Sequence, residues 1–335
     1  MKKAAFIGTD KIRDVYPAHL IDRLAGELDF PVPEILNLSN LDTYRRETAE
    51  VEYLFSTWGM IALPEEQIRT YFPKVRALFY AAGTVQAFAR PFLNCGIAVF
   101  SAWAANAVPV AECTTAQILL ANKGFFKSCR LCSKERSLRD EAKRYAEEKS
   151  GNFDASVGII GAGMIGKMVI RALKSYDLKV LAYDKFLSKE ELAALGAEKV
   201  TLDTLFSRCD TISNHIANLP ETVGMLRYEH FSRMKKNATF INTGRGAQVV
   251  EEDLLRALIE EPDRTAILDV TDPEPPLEES RLYGLQNVFL TPHIAGSSGN
   301  EVRRMGEYML EEYRRGARNE RFLYEVTPKM LETMA

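Results

Sequence analysis

A six-residue glycine motif, Gly161-Ala162-Gly163-Met164-Ile165-Gly166, constrains the fold more than any other feature of this chain. The apolar run Ser156–Ile160 precedes the motif, and a helical pattern over 167–176 follows it. A second apolar run ends in Asp184, 18 residues beyond the last glycine. This succession of strand, glycine turn, helix and acidic strand end is typical of a βαβ unit that binds a dinucleotide.

Each position of the motif has a physical role in such a unit. Gly161 permits a tight turn, Gly163 lets the backbone approach a pyrophosphate, and Gly166 lets the helix pack closely on the strand. The helix begins with Met164 and Ile165 and supplies free N–H groups and partial positive charge for the phosphates. We therefore expect these five residues to bind a cofactor.

The acid at the second strand end indicates which cofactor is bound. Asp184 would accept hydrogen bonds from a ribose diol and would repel a 2′-phosphate. The motif therefore predicts NAD (NADH), with NADP less favoured, although Lys185 beside the acid weakens that preference. The alternative interpretation is a tight turn followed by an exposed acid.

Short apolar runs alternate with helical patterns along most of the 335 residues. Runs of this kind, without polar alternation, indicate parallel strands that are covered on both faces. The sequence therefore predicts an α/β protein with two series of strands. The first series is Ala4–Gly8, Glu52–Thr57, Ala77–Ala81 and Ile97–Phe100; the second is Val157–Ile160, Lys179–Tyr183, Thr211–Ile216, Thr239–Asn242, Ala266–Val270 and Val288–Thr291.

Two helical segments join these series. The segment Pro109–Cys132 is predicted to form one long helix that leaves the first domain, because Pro109 and Glu112 are helix-start signals. The charged segment Gly299–Gly316 is predicted to form an amphipathic helix that packs back on the first domain. Its apolar side is Val302, Met305, Met309, Leu310 and Tyr313.

Composition excludes several classes of function. Lys and Arg total 43 against 46 Asp and Glu, a net charge of −3, which argues against nucleic-acid binding. No apolar run approaches the roughly 20 residues of a membrane span. The N-terminal segment Met1–Gly8 lacks the apolar stretch of a signal peptide, and five sparse cysteines fit a reducing compartment. We expect a cytoplasmic protein, and no metal site at Cys129-x-x-Cys132, which has no neighbouring His.

Three late strand ends carry the residues of greatest chemical interest. They are Asn242-Thr243-Gly244-Arg245-Gly246, the stretch Asp269–Pro276 with Glu274, and Thr291–Gly296 with His293. Ligands of doubly wound sheets bind beyond the carboxyl ends of strands. Taken singly, such an Arg is usually a surface ion-pair partner, such a Glu a loop residue and such a His structural.

Together with the glycine loop, these segments resemble the NAD-dependent D-isomer-specific 2-hydroxyacid dehydrogenase family, over roughly Tyr80–Gly296. The matching motifs are Asn106–Glu112, His215 with Pro220-Glu221-Thr222, Thr243–Gly246, Glu274-Pro275 and Thr291–Gly296. The resemblance implies a Rossmann-type cofactor domain, 108–295, inserted into a flavodoxin-like substrate-binding domain, 1–107 and 296–335. Hinge motion about Asn106–Val110 and Ile294–Ser298 would close the cleft between them.

The resemblance also implies that Arg245, Glu274 and His293 are the catalytic residues. Reduction of a 2-keto acid needs a hydride at the carbonyl carbon and a proton at its oxygen. His is the side chain that titrates near neutrality, and a neighbouring Glu stabilises its protonated form. Arg offers a planar fork for the substrate carboxylate and a positive charge beside the carbonyl oxygen.

Further positions follow from the same resemblance. Asp269 matches a residue that binds the nicotinamide carboxamide, although a turn acid is the alternative, and His215 lies near the cofactor without being catalytic. The remaining cofactor positions are Thr243, Gly244, Ala295 and Gly296. Gly244 stands where Ala is usual.

The first domain is expected to supply the substrate contacts. The loop Ala81-Ala82-Gly83-Thr84 resembles one whose backbone N–H groups hold the substrate carboxylate, so Ala82 and Gly83 are candidate substrate residues; a simple tight turn is the alternative. Trp58 stands where some family members carry a basic residue, which argues against a phosphorylated substrate.

We therefore expect reversible hydride transfer between NAD(H) and a small 2-keto acid or D-2-hydroxy acid, with His293 as proton donor and acceptor. One alternative is an NAD-sensing, corepressor-like binding module, because fold does not fix function. A second is a formate- or phosphite-type dehydrogenase on the same scaffold. A homodimer through the 109–132 helix is expected, because that segment is apolar on more than one face.

Overall fold

The computed structural model describes residues 1–332 of the chain. These residues divide into two compact units. The first consists of Met1–Ala107 and the described residues from Ser297 onward, and the second of Val108–Gly296. The second unit is therefore an insertion in the sequence of the first.

Thirteen strands occur within residues 1–332. In chain order they are β1 (Lys2–Phe6), β2 (Leu28–Asp29), β3 (Tyr53–Ser56), β4 (Ala77–Tyr80), β5 (Ala98–Ser101), β6 (Phe153–Ile160), β7 (Asp177–Tyr183), β8 (Glu198–Lys199), β9 (Thr211–Asn214), β10 (Thr239–Asn242), β11 (Thr265–Leu268), β12 (Val288–Leu290) and β13 (Glu325–Val326).

Fourteen α-helices occur in the same residues. They are α1 (Ile12–Val15), α2 (Ala18–Ala25), α3 (Arg45–Thr48), α4 (Glu65–Tyr71), α5 (Ala89–Asn94), α6 (Trp103–Asn122), α7 (Phe125–Lys134), α8 (Arg139–Glu147), α9 (Met164–Leu173), α10 (Lys189–Leu195), α11 (Leu202–Arg208), α12 (Tyr228–Phe231), α13 (Glu251–Glu260) and α14 (Val302–Ala317). None of the helices within residues 1–332 is long and apolar enough to cross a membrane.

The sheet of the first unit has the strand order β2-β1-β3-β4-β5, with β13 beyond β5. Its first five strands pair in parallel, and β13 pairs antiparallel to β5. This is the flavodoxin-like order, as predicted. All four residues of β4 are buried, because helices cover both faces of a parallel sheet. The two-residue strands β2 and β13 are too short to be found from an apolar pattern.

The sheet of the second unit has the order β8-β7-β6-β9-β10-β11-β12, and every pair is parallel. Strand order reverses at β6, between β7 and β9, as in the dinucleotide-binding Rossmann fold. The predicted α/β class with two doubly wound sheets is thus confirmed. The glycine motif follows β6, directly at this switch point.

The prediction of one helix over Pro109–Cys132 is wrong. Helix α6 begins earlier, at Trp103, and Pro109 lies inside it, so the predicted hinge segment Asn106–Val110 is helical. The helix then ends at Asn122, because Gly124 has φ of +66°, a left-handed conformation that breaks a right-handed helix. Cys129 and Cys132 lie on the separate helix α7.

The C-terminal amphipathic helix is confirmed as α14. The five apolar residues predicted for its inner side are all buried, and they belong to the same core as strands β1, β3, β4 and β5 of the first unit. A single-turn 3-10 helix, Gly299–Glu301, precedes it.

Candidate active site

The glycine loop connects β6 to α9, with Gly163 as the residue before the helix. Gly161 has φ of +87°, and a Cβ atom there would lie 2.9 Å from the carbonyl oxygen of His215. A Cβ atom on Gly166 would lie 2.1 Å from the carbonyl oxygen of Gly161. These two glycines are therefore required by the packing of the loop itself.

Gly163 differs from its two neighbours. A Cβ atom at this position would meet no atom of residues 1–332 within 4 Å. Nothing in that part of the chain therefore demands a glycine there, whereas a ligand that approaches the backbone would. The first N–H groups of α9, beginning at Met164, have no partners within the helix. This open backbone at a helix N-terminus fits the pyrophosphate of a dinucleotide.

Asp184 follows β7, and its carboxylate binds backbone N–H groups of the glycine loop and of its own loop. Its Oδ2 atom accepts from the N–H of Ala162 at 2.7 Å, and its Oδ1 atom accepts from the N–H groups of Phe186 and Leu187 at 2.8 Å. Burial raises the pKa of this carboxyl, but the three backbone hydrogen bonds, Leu187 foremost, outweigh it and hold the pKa below its ordinary value. The residue is therefore a carboxylate that organises the glycine loop, and its ribose contact stays a prediction.

His215 follows β9 and is neutral at physiological pH. Its Nε2 atom lies 3.0 Å from the hydroxyl of Ser213, and its Nδ1 atom is buried with no hydrogen-bond partner among residues 1–332. Burial lowers the pKa of the ring to about 4. Because a neutral imidazole is a very weak acid, the ring does not fit the role of a general acid.

His293 and Glu274 meet at the carboxyl ends of β12 and β11. The Nδ1 atom of His293 lies 2.7 Å from Oε1 of Glu274, and the two side chains are 45% and 43% exposed. His293 has φ of +54°, which is sparsely populated for a residue with a Cβ atom. A residue keeps such a conformation only where its surroundings enforce it, which is common at functional sites.

Asp269 supplies that enforcement. Its Oδ1 atom accepts from the hydroxyl of Thr291 at 2.6 Å and from the N–H of Ile294 at 2.8 Å, while Oδ2 accepts from the N–H of Ala295 at 2.9 Å. Its carbonyl oxygen accepts from the N–H of His293 at 3.0 Å. The buried Asp269 thus anchors the loop that presents His293. This favours the turn interpretation of the acid, and its contact with nicotinamide stays a prediction.

Arg245 lies on the loop after β10, whose backbone Asn242 fixes. The Asn242 side chain donates to the carbonyl oxygen of Arg245 at 3.1 Å and accepts from the N–H of Gly244 at 3.1 Å. The Arg245 guanidinium donates to the carbonyl of Gly244 at 2.8 Å. The preceding Thr243 is buried, with its hydroxyl 2.9 Å from that of Thr114 on α6.

A buried amide cluster, which we define as Asn214, Asn242 and Gln248, supports this loop. The amide of Asn214 donates to the side-chain oxygens of Asn242 and Gln248, and Gln248 donates to the carbonyl of Ile216. All three side chains are fully buried. Sequence reasoning missed the cluster, because its members match no motif; the only signal is an Asn within one apolar run and an Asn at the end of the next.

The Arg245 loop also lies directly against the segment that leads to Glu274. A Cβ atom on Gly246 would lie 1.9 Å from the carbonyl carbon of Thr271. The two backbones therefore touch, and they fix the two loops relative to each other. The other cofactor candidates, Ala295 and Gly296, are buried and half-buried on the His293 loop.

In the first unit, side-chain hydroxyls hold the loop after β4. Thr57 donates to the carbonyl of Ala81 at 2.7 Å, and Ser101 donates to the carbonyls of Ala82 and Gly83. Among residues 1–332, no backbone hydrogen bond uses the N–H groups of Ala82 and Gly83. These two donors fit the predicted binding of a carboxylate.

Trp58 lies on the loop after β3 of the same unit. It is half-buried against the core, and its carbonyl accepts from the hydroxyl of Thr9 at 3.1 Å. Gly59 follows with φ of +84°, and a Cβ atom there would lie 2.6 Å from the Thr9 side chain. The conformation of this loop therefore depends on a glycine beside the indole.

The residues of the second unit share one edge of a parallel sheet. Because all its strands point the same way, the glycine loop, Asp184, His215 and the Arg245, Glu274 and His293 loops follow strand ends at that edge. The edge offers anion-binding N–H groups, a guanidinium and an exposed imidazole–carboxylate pair. Such a set can bind a dinucleotide and transfer a proton.

Comparison with known proteins agrees with this geometry. The family model described as "D-isomer specific 2-hydroxyacid dehydrogenase, NAD binding domain" matches residues 116–295. The D-3-phosphoglycerate dehydrogenase of Archaeoglobus fulgidus is 33% identical over 221 residues, which are 65% of this chain and 40% of that protein. That of Synechocystis is 40% identical over 146 residues, which are 44% of this chain and 26% of that protein. The matches thus span less than half the length of these relatives.

Solved structures with the same fold cover nearly the whole chain. The D-mandelate dehydrogenase of Rhodotorula graminis superposes with a TM-score of 0.80 at 19% identity, covering 98% of both chains. The D-lactate dehydrogenase of Lactobacillus jensenii, solved with NAD+, gives 0.74 at 22% identity, covering 98% of this chain and all of that one. With the family model matching more than half of its residues, this chain belongs to the D-isomer specific 2-hydroxyacid dehydrogenase family.

Proposed function

We propose that this protein catalyses the reversible interconversion of a small 2-keto acid and its D-2-hydroxy acid with NAD(H) as cofactor. The observation that carries the proposal is the His293–Glu274 pair, held in a strained loop at the sheet edge that also bears the glycine motif. An imidazole in that position has one ring nitrogen bound by a carboxylate and the other available to a substrate oxygen.

Cofactor binding is assigned to the glycine loop and to the residues around it. Gly163 and the N-terminus of α9 would bind the pyrophosphate, and Asp184 the ribose next to it, which favours NAD over NADP. When bound, NADH supplies the hydride that the reaction requires. The open space at Gly163 supports this assignment.

The proton is the contribution of His293. In reduction its Nε2–H donates to the carbonyl oxygen of the keto acid, and in oxidation the neutral ring accepts the hydroxyl proton. Glu274, at Nδ1, fixes the ring and stabilises the imidazolium. Arg245 provides a positive charge for the substrate carboxylate and for the oxygen on which negative charge develops.

Substrate recognition is assigned to the first unit. The unused N–H groups of Ala82 and Gly83 would bind the substrate carboxylate, as backbone donors do in other anion sites. Trp58, an apolar and bulky side chain, favours an uncharged substituent over a phosphorylated one. We therefore propose an unphosphorylated 2-keto acid as substrate.

The test is NADH oxidation, followed by absorbance, with a panel of 2-keto acids. The panel comprises glyoxylate, hydroxypyruvate, pyruvate, phenylpyruvate, branched-chain keto acids and phosphohydroxypyruvate, and it is repeated with NADPH. We expect turnover of an unphosphorylated member with NADH, and its loss in His293→Asn. NADH binding without turnover of any member would contradict the proposal and favour an NAD sensor. In a separate assay with NAD+, formation of NADH from formate or phosphite, without turnover of any keto acid, would contradict the proposal and favour a formate- or phosphite-type dehydrogenase.

We further propose a cytoplasmic homodimer that associates through the 109–132 region. The apolar side chains Leu120 and Phe125, 38% and 49% exposed, flank the break between α6 and α7 and support this assembly. Light scattering should give twice the chain mass. A monomer at micromolar concentration, or a dimer that survives Leu120→Glu with Phe125→Glu, would contradict this interface.

A further inference from the structure

The second unit contains a cavity of about 230 Å³ on the side opposite to the His293 edge. Its lining includes Ser150, Asp210 and Asn237, which lie in the segments leading into β6, β9 and β10, so it lies at the amino ends of these strands. Lys149, Lys235 and Lys236 also line it. The proposed oxidoreductase chemistry uses none of these residues.

Lys149 is the lysine of this group that lacks a counter-charge. Its Nζ atom donates to the carbonyl oxygen of Asn237 and lies 3.4 Å from the hydroxyl of Thr239. No ion pair within residues 1–332 includes it, whereas Lys235 lies 2.9 Å from Asp210. An ammonium group enclosed by neutral oxygens loses hydration without a full charge to replace it.

A second cation stands close to Lys149. The Nζ atoms of Lys149 and Lys127 lie 4.8 Å and 4.5 Å from the centre of one ring, that of Tyr145. Lys127 has a carboxylate partner, Asp263, at 2.8 Å. Of the two amines that share the ring, Lys149 is therefore the one that more readily gives up its proton.

The other charged groups around the cavity do not restore a full counter-charge to Lys149. Asp263 is shared with Lys127 and lies 4.0 Å from Lys236, and Asp210 also accepts from the N–H of Ser156. Burial, followed by repulsion from Lys127, lowers the pKa of Lys149 to about 7, while Asp263 and Asp210 oppose that shift only in part. Glu148, the remaining acid of the lining, is exposed to solvent.

We propose that Lys149 is a modification site: a nucleophilic amine that small anionic acyl donors, namely acyl phosphates, acylate from this cavity. An amine that is desolvated beside another cation is the usual form of an activated lysine. Lys235 and Lys236 give the cavity the positive charge that attracts a phosphate-bearing reagent. The cavity is large enough for such a small molecule.

The reaction is a simple acyl transfer. The lone pair of Lys149 Nζ forms a bond to the carbonyl carbon of the donor, and the carbon–oxygen bond to phosphate breaks. Phosphate leaves with that electron pair, and the amine proton passes to solvent. Nothing is oxidised or reduced, and the product is a neutral amide.

The test uses the full chain and acetyl phosphate, with acetylation of each lysine followed by peptide mass spectrometry over a range of pH. We expect Lys149 to react at least about tenfold faster at neutral pH than Lys235 and Lys236, because far more of it is neutral there. Its rate should reach half its maximum near pH 7, because burial and the charge of Lys127 lower the pKa of Lys149 to about 7. Lys235 and Lys236, 42% and 67% exposed, are internal controls in the same cavity. Equal or slower reaction of Lys149 would overturn the proposal.

A variant tests the cause independently. Lys127→Met removes the neighbouring charge, so acetylation of Lys149 at neutral pH should slow severalfold and its midpoint should move to higher pH. Lys123→Met, which removes an exposed positive charge, should leave both the rate and the midpoint unchanged. If Lys127→Met does not fold, the comparison among lysines of the unaltered chain still decides. An unchanged midpoint in folded Lys127→Met would contradict the assigned cause.

Discussion

Nδ1 of His293 lies 2.7 Å from Oε1 of Glu274, on loops that follow the neighbouring strands β12 and β11. The bond leaves Nε2 as the ring nitrogen that faces away from the carboxylate. The pair is 19 residues apart in sequence, and only the parallel pairing of the two strands brings it together.

Substitution of Glu274 tests the importance of this pair for proton transfer. In Glu274→Gln the ring keeps a hydrogen-bond partner but loses the negative charge that stabilises the imidazolium. We expect kcat for keto-acid reduction to fall by about tenfold to about a hundredfold, with the Kd of NADH unchanged. Glu278→Gln, on the same exposed segment, is the control and should keep full activity. Equal kcat values for the two variants would exclude Glu274 from the mechanism.

Two glycines of one loop should respond in opposite ways to the same substitution. The Cβ atom of Gly163→Ala meets no atom within 4 Å among the described residues. The free energy of unfolding should therefore stay within about 0.5 kcal/mol, while the Kd of NADH rises at least about tenfold. Gly166→Ala places a Cβ atom on the Gly161 carbonyl and should cost about 1–3 kcal/mol. Urea unfolding and NADH fluorescence measure the two effects. A Gly163→Ala protein with normal NADH affinity would argue against a pyrophosphate at that glycine.

Asp269 should matter for stability as well as for turnover. In Asp269→Asn an amide N–H₂ replaces one acceptor oxygen and leaves one of the loop donors unpaired, most directly the N–H of Ala295. We expect a loss of about 1–3 kcal/mol in unfolding free energy, together with reduced kcat because His293 is no longer held. Asp272→Asn, an exposed change in the adjoining segment, should alter neither. Normal stability of Asp269→Asn would show that the anchor is dispensable.

His215 gives a prediction with a definite sign in pH. Its pKa falls from 6.5 in the unfolded chain to about 4 in the folded protein. The folded state therefore binds fewer protons, and stability is fully present above pH 6.5 and is lost as the pH falls towards 4. Between pH 6.5 and pH 4, we expect the free energy of unfolding of His215→Gln to fall by up to about 3 kcal/mol less than that of the unaltered protein. Unfolding at several pH values measures the difference, with the exposed His19→Gln as the control.

The fold was largely predictable, because apolar runs without alternation and a glycine motif at a strand end carry strong local information. The prediction of one helix over Pro109–Cys132 is wrong for two identifiable reasons. Pro109 resembles a first-turn residue, but proline is also tolerated inside a long helix that other contacts hold. Gly124 ends the helix, but one glycine in an Ala- and Leu-rich stretch gives no sequence signal that its φ is positive.

Part of the candidate site could be singled out from charge and spacing. Arg245, Glu274 and His293 stood out as charged or titratable groups between glycines and prolines, and their roles in the reaction stay predictions. The groups that hold them did not, since Asp269 as an anchor and the amide cluster act through buried hydrogen bonds that depend on strand neighbours. The sequence cannot show that Asn214 and Gln248, 34 residues apart, share a hydrogen bond.

The amide cluster also limits which residues can replace Gly244. A Cβ atom at Gly244 would lie 3.2 Å from the side-chain nitrogen of Asn214 and 3.2 Å from the side-chain oxygen of Gln248. The alanine that is usual before the arginine therefore competes with two buried amides for the same space. Alanine at position 244 therefore requires the Asn214 or Gln248 side chain to shift by a few tenths of an ångström, so the effects of substitutions at positions 214, 244 and 248 on stability should not be additive.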